Sequence, residues 1–212
     1  MEVLNIQKEN VIAAYQAASE EQKTLLRALF PDAHLEVVVE PEGYVRQQDK
    51  TIPVEERIYT FKDACLALGQ EHKFVVDFNA VDTCIGMENV SPDIAAFFKL
   101  RIICAALNDG WEPEFTEDEI RWYPWHWMWT EQELSEKSDE WKQRKALMSV
   151  EAYKQTGWAG FAVAYSDGAP SYAGANVGSR LCLKSESLAD LAATRFIDLW
   201  ADFKLIRRES AE

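Results

Sequence analysis

Cys182 and His126 come nearest, in this 212-residue chain, to a nucleophile and its base. A cysteine does such work as a thiolate, with an imidazole in hydrogen-bond reach and surroundings that lower its pKa. Neither residue stands in a recognisable signature, and both fall on segments that read as strands, so buried structural roles are expected for them. His34 and His72 lie near element ends and read as surface residues. The four cysteines, Cys65, Cys84, Cys104 and Cys182, are widely spaced and form no CxxC pair, which predicts buried free thiols in a reducing compartment. DFNAVDT, residues 77–83, has too few oxygen ligands for a calcium loop and lacks its glycine. No HExxH, P-loop, GxSxG or zinc-ligand spacing occurs, and nothing among the 36 acidic residues singles out a hydrolytic carboxylate pair. No metal and no cofactor are expected.

Binding chemistry is better represented. RWYPWHWMW, residues 121–129, carries four of the eight tryptophans. It alternates as a strand does, with Tyr123, Trp125, Trp127 and Trp129 on one face and Trp122, Pro124, His126 and Met128 on the other. Pro124 cannot donate to a ladder and places the segment at a sheet edge or a break. Tryptophan faces stack on bases and sugars, pack in cores or form hot spots of protein interfaces. Burial of most of the stretch by the protein itself is expected, leaving at most one face for a partner.

YAGANVGSRLCLK, residues 172–184, places Gly174 and Gly178 ahead of a Ser-Arg pair. A dinucleotide fingerprint runs strand, glycines, helix, whereas these glycines precede a predicted strand, so a hairpin loop is the preferred reading. For a ligand site, the candidate residues are Trp125, Trp127 and Trp129 with Ser179, Arg180 and Lys184, the cations lying in the one third of the chain that is not acidic.

The formal net charge is −14. Residues 1–140 carry 12 basic and 28 acidic side chains, residues 141–212 carry 10 and 8. Such an acidic surface repels phosphate backbones, so direct nucleic-acid binding is disfavoured. Solubility is the plain explanation of the excess, and a surface that imitates nucleic acid toward a DNA-binding partner is the sharper one. Glu117, Asp118 and Glu119 are the candidate partner-binding cluster, with a solvated turn as its simpler reading. No secretory leader is recognised at the N-terminus, and the most apolar run, residues 94–107, is interrupted by Lys99 and Arg101. A cytoplasmic protein without a membrane span is expected.

The elements that must position these residues read as α+β. Two helices are predicted within residues 9–30, a strand at 35–40 with a hairpin through Val45, and a polar loop at 46–58. TFKDACLALG is a short helix with a Thr60–Asp63 capping box, ended by Gly69. KFVVDF, 73–78, is predicted as a strand and 79–90 as an irregular connection. Residues 91–110 form a long buried central helix, with Ser91 as cap, Pro92 at its first position and Asn108-Asp109-Gly110 as stop. Antiparallel strands follow at 120–129, 158–165 and 178–184. A helical insert at 130–156 opens at Thr130, and a single C-terminal helix capped by Ser185 packs on the sheet. One domain, 1–212, is expected.

KLRIICAALNDGWEPEF, the WYPW-type strand and VGSRLCLKSESLADLAATRFIDLWADF together resemble an uncharacterised family of small proteins from gut Bacteroidales and their tailed phages. The N-terminal helices and TFKDACLALG match that pattern in order and composition, so the resemblance covers most of the chain. The helical insert departs from it. The resemblance implies a bacterial cytosolic or phage setting and nothing about catalysis. The expected function is a non-catalytic, acidic accessory protein of phage or mobile-element type that binds a host protein. The alternative is a small-molecule, nucleotide-like binder with a Trp-lined pocket and Arg180. An enzyme of unrecognised type is the least favoured reading, and the oligomeric state is left open.

Overall fold

The computed structural model describes residues 50–208, apart from 115, 117, 155 and 171–178, together with Gln22 and Leu26, both helical. The two N-terminal helices and the hairpin expected before residue 49 otherwise lie outside the described residues. Residues 46–212 group as one unit, and the account below concerns that unit.

Helices come first. α1, Val54–Arg57, is a single turn. α2, Phe61–Leu68, begins at Thr60, whose hydroxyl accepts from the Asp63 N–H while Asp63 accepts from the Thr60 N–H. α3, Lys73–Ile85, replaces both the strand expected at 73–78 and part of the irregular connection after it. KFVVDF is short enough to fit either period. Helical spacing wins because it turns Val75 and Phe78 together into the core. His72 caps this helix through a ring nitrogen that accepts from the Phe74 N–H, and Gly86, at φ 81°, stops it.

α4, Pro92–Asn108, is the long central helix, with Leu100, Ile102, Ile103 and Leu107 fully enclosed. Its apolar residues surround the axis because it packs on α2 and α3 as well as on α8, Ile197–Lys204. Asp109 ends it in the left-handed region and pairs with the buried Arg57 at 3.3 Å.

The sheet has three antiparallel strands in the order β1-β3-β2: β1 Ile120–Trp129, β2 Met148–Ser149 and β3 Gly160–Pro170. β1 is an edge strand, as Pro124 requires. The expected insert contains α5, Glu131–Ser135, opened by a Thr130–Glu133 capping box, and α6, Asp139–Arg144, capped by Ser138. The strand expected at 178–184 does not form among its described residues: Ser179–Leu181 is a 3₁₀ turn, and of 179–184 only Leu183 bridges to the sheet, at Trp122. The single C-terminal helix is two. α7, Glu186–Arg195, is capped by Ser185, and Phe196, at φ −119° and ψ 34°, separates it from α8. The break is closed by the Trp200 indole N–H, which donates to the Ala192 carbonyl at 3.1 Å.

α7 lies across β1 and β3, α8 follows it, and α4 packs on α8. The result is α+β with a C-terminal helix on the sheet. Among the described residues no helix is long and apolar enough to cross a membrane.

One buried side chain ties the layers together. The Asn108 amide donates to the Cys182 carbonyl at 2.9 Å and its oxygen accepts from the Lys184 N–H at 3.0 Å. Asn108→Ala strands both backbone groups and should cost about 1–3 kcal/mol. A lowered denaturant midpoint with an unaltered slope is the expected outcome; an unmoved midpoint would contradict this role.

Candidate functional site

The period of two along β1 creates two unlike faces. Trp122, Pro124, His126 and Met128 turn toward the helices, and Trp122 and Met128 pack on the core. Tyr123, Trp125, Trp127 and Trp129 turn the other way, where Trp125 is 50% and Trp127 53% exposed. One face of the aromatic strand is thus covered, and the other is exposed at Trp125 and Trp127.

A β-bulge divides the open face. Trp125 pairs with Tyr165 but His126 pairs with Val163, so Ala164 is an extra residue on β3. Lys145 follows α6 and fills the broken ladder: its carbonyl accepts from the Val163 N–H at 2.9 Å, and its amine donates to the Ala164 carbonyl at 2.6 Å. Across the bulge the Trp125 and Tyr165 rings stack at 6.1 Å and 13°, forming a ridge. On one side lies an open depression of about 340 Å³ with Trp127, Trp129, Trp141 and Tyr165 in its walls. Trp129 and Trp141 meet edge to face there at 5.0 Å, with the Lys137 amine over both rings.

On the other side is a deeper cavity of about 400 Å³, walled by Phe97, Tyr123, Trp125, Leu181, Trp200 and Phe203. Three charged side chains, Asp167, Arg180 and Lys204, also line it. Among the described residues no carboxylate pairs with Arg180. Arg101 is close enough to feel its charge: burial first, then Arg180, lowers the Arg101 pKa, while Asp77, 4.0 Å away, raises it. Lys204 is an exposed residue whose amine lies between the Pro124 carbonyl and the His126 ring nitrogen Nδ1, each at 2.9 Å. Burial pushes the Lys204 ammonium down to about 8.

His126 is held neutral. It stacks flat on Phe161 at 4.6 Å and 4°. Burial, followed by the nearby Lys204 charge, pushes its pKa down to about 3. In the tautomer in which Nδ1 accepts from Lys204, the ring proton sits on Nε2, which has no partner in hydrogen-bond geometry.

The candidate ligand residues are therefore only partly gathered. Trp125 and Arg180 line the deeper cavity, while Trp127 and Trp129 line the shallower one. The Lys184 amine donates to the Asn108 carbonyl at 3.0 Å and serves the end of α4. Ser179 opens the 3₁₀ turn that carries Arg180. Of the acidic cluster, Asp118 is exposed, Glu119 accepts from the Glu114 N–H at 2.8 Å, and Glu117 lies outside the described residues. Cys182 and His126 do not meet. Burial pushes the Cys182 thiol up to about 11, against the smaller opposing effects of Arg121 and of the Tyr123 hydroxyl that donates to its sulfur. It is a thiol, not a thiolate. Among the described residues no three His, Cys, Asp or Glu side chains are grouped to hold a metal ion. Sequence reasoning missed Lys204, Asp167 and the α4 and α8 aromatics Phe97, Trp200 and Phe203. The helical stripe marked the aromatics as core, and nothing local marks a lysine whose amine folds back onto another strand.

Comparisons with protein-family models, curated proteins and solved structures found no match for this chain.

His126 gives stability a pH dependence of definite sign. Its pKa is about 3 folded against 6.5 unperturbed, so below about 6.5 unfolding takes up a proton. This contribution is complete above 6.5 and is lost as pH falls toward 3, by up to ~1.4 kcal/mol per pH unit. Denaturant midpoints followed from pH 7 to about 4.5 should fall less steeply in His126→Gln than in the wild type. Parallel curves would show that the histidine is not held neutral.

Proposed function

We propose that the protein is a non-catalytic binder of a small anionic molecule with a flat ring, of the nucleotide class. The observation that carries this reading is the meeting of Trp125 and Arg180 in one cavity of about 400 Å³, within the range of ligand pockets. Apolar walls from Phe97, Tyr123, Trp200 and Phe203 suit a ring, and stacking on a tryptophan contributes about 1–3 kcal/mol per base. Arg180 and Lys204 suit an anion. Two cations at one cavity, with Arg101 within electrostatic reach, repel one another, and a bound anion removes that repulsion. Asp167 adds an acceptor suited to sugar hydroxyls.

A second reading is the binding of a host protein of the infected or colonised cell. It is favoured by the exposure of Trp127 and Tyr165 on the far side of the ridge, since large exposed aromatics are characteristic of interface hot spots. The two readings use different sides of the Trp125–Tyr165 stack and are separable by mutation.

Titration with AMP, followed by tryptophan fluorescence, tests the first. Saturable quenching is expected, weakened about tenfold or more in Arg180→Ala, as loss of a charge-assisted hydrogen bond of about 1.5–3 kcal/mol implies. Trp127→Ala should leave that affinity unaltered. No quenching by AMP, GMP or UMP, or quenching indifferent to Arg180, would remove this reading.

A further inference from the structure

We infer that Lys204 is a reactive amine that condenses with the carbonyl group of an anionic aldehyde or ketone seated against Trp125 and Arg180. The inference rests on the small-molecule reading of this cavity and adds a covalent step to it.

The geometry around the nitrogen carries it. A lysine ammonium has three N–H donors and no lone pair; the neutral amine has two donors and one lone pair. Lys204 has two acceptors, the Pro124 carbonyl and His126 Nδ1, each at 2.9 Å. They match the two donors of the neutral form and leave its lone pair unengaged. Among the described residues no carboxylate pairs with the nitrogen, in contrast to Arg57, Arg101, Lys142 and Arg207, which all have acidic partners. The Trp200 ring, 5.1 Å away, favours the cation, but a ring face is a weak counterion. His126 cannot serve as counterion, because it is neutral and presents a lone pair.

The other titratable groups around the amine come from three elements. Tyr123 and His126 belong to β1, Asp167 to β3, and Arg180 to the 3₁₀ turn. Arg180 opposes the ammonium, and Asp167 is the only carboxylate lining the cavity among the described residues. Crowding of the nitrogen lowers the ammonium pKa, which raises the share of free amine near neutral pH. Desolvated lysines in apolar cavities are suited to this chemistry.

The step balances without a further reagent. The nitrogen lone pair forms a bond to the carbonyl carbon and gives a carbinolamine. The two N–H protons, held until then by Pro124 and His126, leave with the former carbonyl oxygen as water. An imine between Nζ and the ligand carbon remains. Arg180 holds the anionic group of the ligand, and Trp125 its ring.

Pyridoxal 5′-phosphate, an anionic aromatic aldehyde, is a suitable probe. The full chain is incubated with it, reduced with borohydride to fix any imine as a secondary amine, and mapped by peptide mass spectrometry. Labelling of Lys204 at least tenfold above any other lysine is expected, with suppression by excess AMP. Lys204→Arg should lose this label. Labelling of Lys204 by neutral pyridoxal should survive Arg180→Ala, while labelling by the phosphate form should drop. Quenching by AMP together with label spread over surface lysines would overturn the imine and leave the binding reading standing. If AMP gives no quenching and Lys204 no label, both fail together.

Discussion

A single buried amide at the end of α4 determines where the cationic side of the cavity lies. Asn108 is polar, 5% exposed and surrounded by core residues, so its hydrogen bonds must be met inside the protein. They are met by the backbone of residues 182–184, a segment with almost no regular structure of its own. The Lys184 amine returns to the Asn108 carbonyl and completes the contact. Leu183, between these partners, is locked to Trp122 by two backbone bonds of 2.9 Å. The segment is thereby fixed to a helix on one side and to a strand on the other. Arg180, three residues before Leu183, is delivered to the mouth of the cavity as a consequence. A strand at 178–184 would carry its own ladder. A 3₁₀ turn with one bridge needs the amide.

The second constraint is the bulge at Ala164. Without the extra residue, the tryptophans of β1 would line one continuous aromatic surface facing one regular strand. With it, the register changes between Trp125 and His126, and twist increases locally. Lys145 pairs with two backbone groups beside the bulge, the Val163 N–H and the Ala164 carbonyl. The two sides of the ridge differ: Trp125 borders the cavity that the helical aromatics and Arg180 also line, whereas Trp127 and Trp129 line the depression that holds Trp141 of the insert. A small molecule and a protein could be accommodated on opposite sides of the Trp125–Tyr165 ridge without sharing a residue except through that stack.

What the sequence discloses and what it hides follow from range. Local signals were legible. The capping boxes at Thr60 and Thr130, the serine cap at Ser185, the proline-led start of α4 and the alternation of β1 are each written within a few residues. The edge position of β1 could be read from Pro124 alone. Segments in which two local periods compete were not. Residues 73–78 satisfy a strand pattern, and a helix forms because Val75 and Phe78 find the core together. Residues 178–184 also read as a strand, but a distant amide takes their backbone bonds. The kink at Phe196 falls inside an uninterrupted amphipathic stripe. For the site, Trp125 and Arg180 could be named in advance, since their types suggested it. Lys204 could not be named, because its environment comes from Pro124 and His126, about 80 residues away in the chain.

Charge and packing give the cavity a character opposite to that of the chain. The protein carries a net charge of −14, yet of the three charged residues lining the cavity two are cationic and one is anionic. A surface of one sign around a site of the other focuses the field on the site, but the surrounding acids also slow the approach of an anion. Selectivity would then favour ligands of low negative charge that bring a large flat apolar part. Highly charged polyphosphates would meet repulsion from the surface and from Asp167. His126 sharpens this preference. By remaining neutral it adds no further positive charge beside Lys204, whose amine it contacts at 2.9 Å. On the proposed reading, the aromatic walls would set the size of the ligand, and Arg180, held at the rim by the Asn108 contact, would set its orientation.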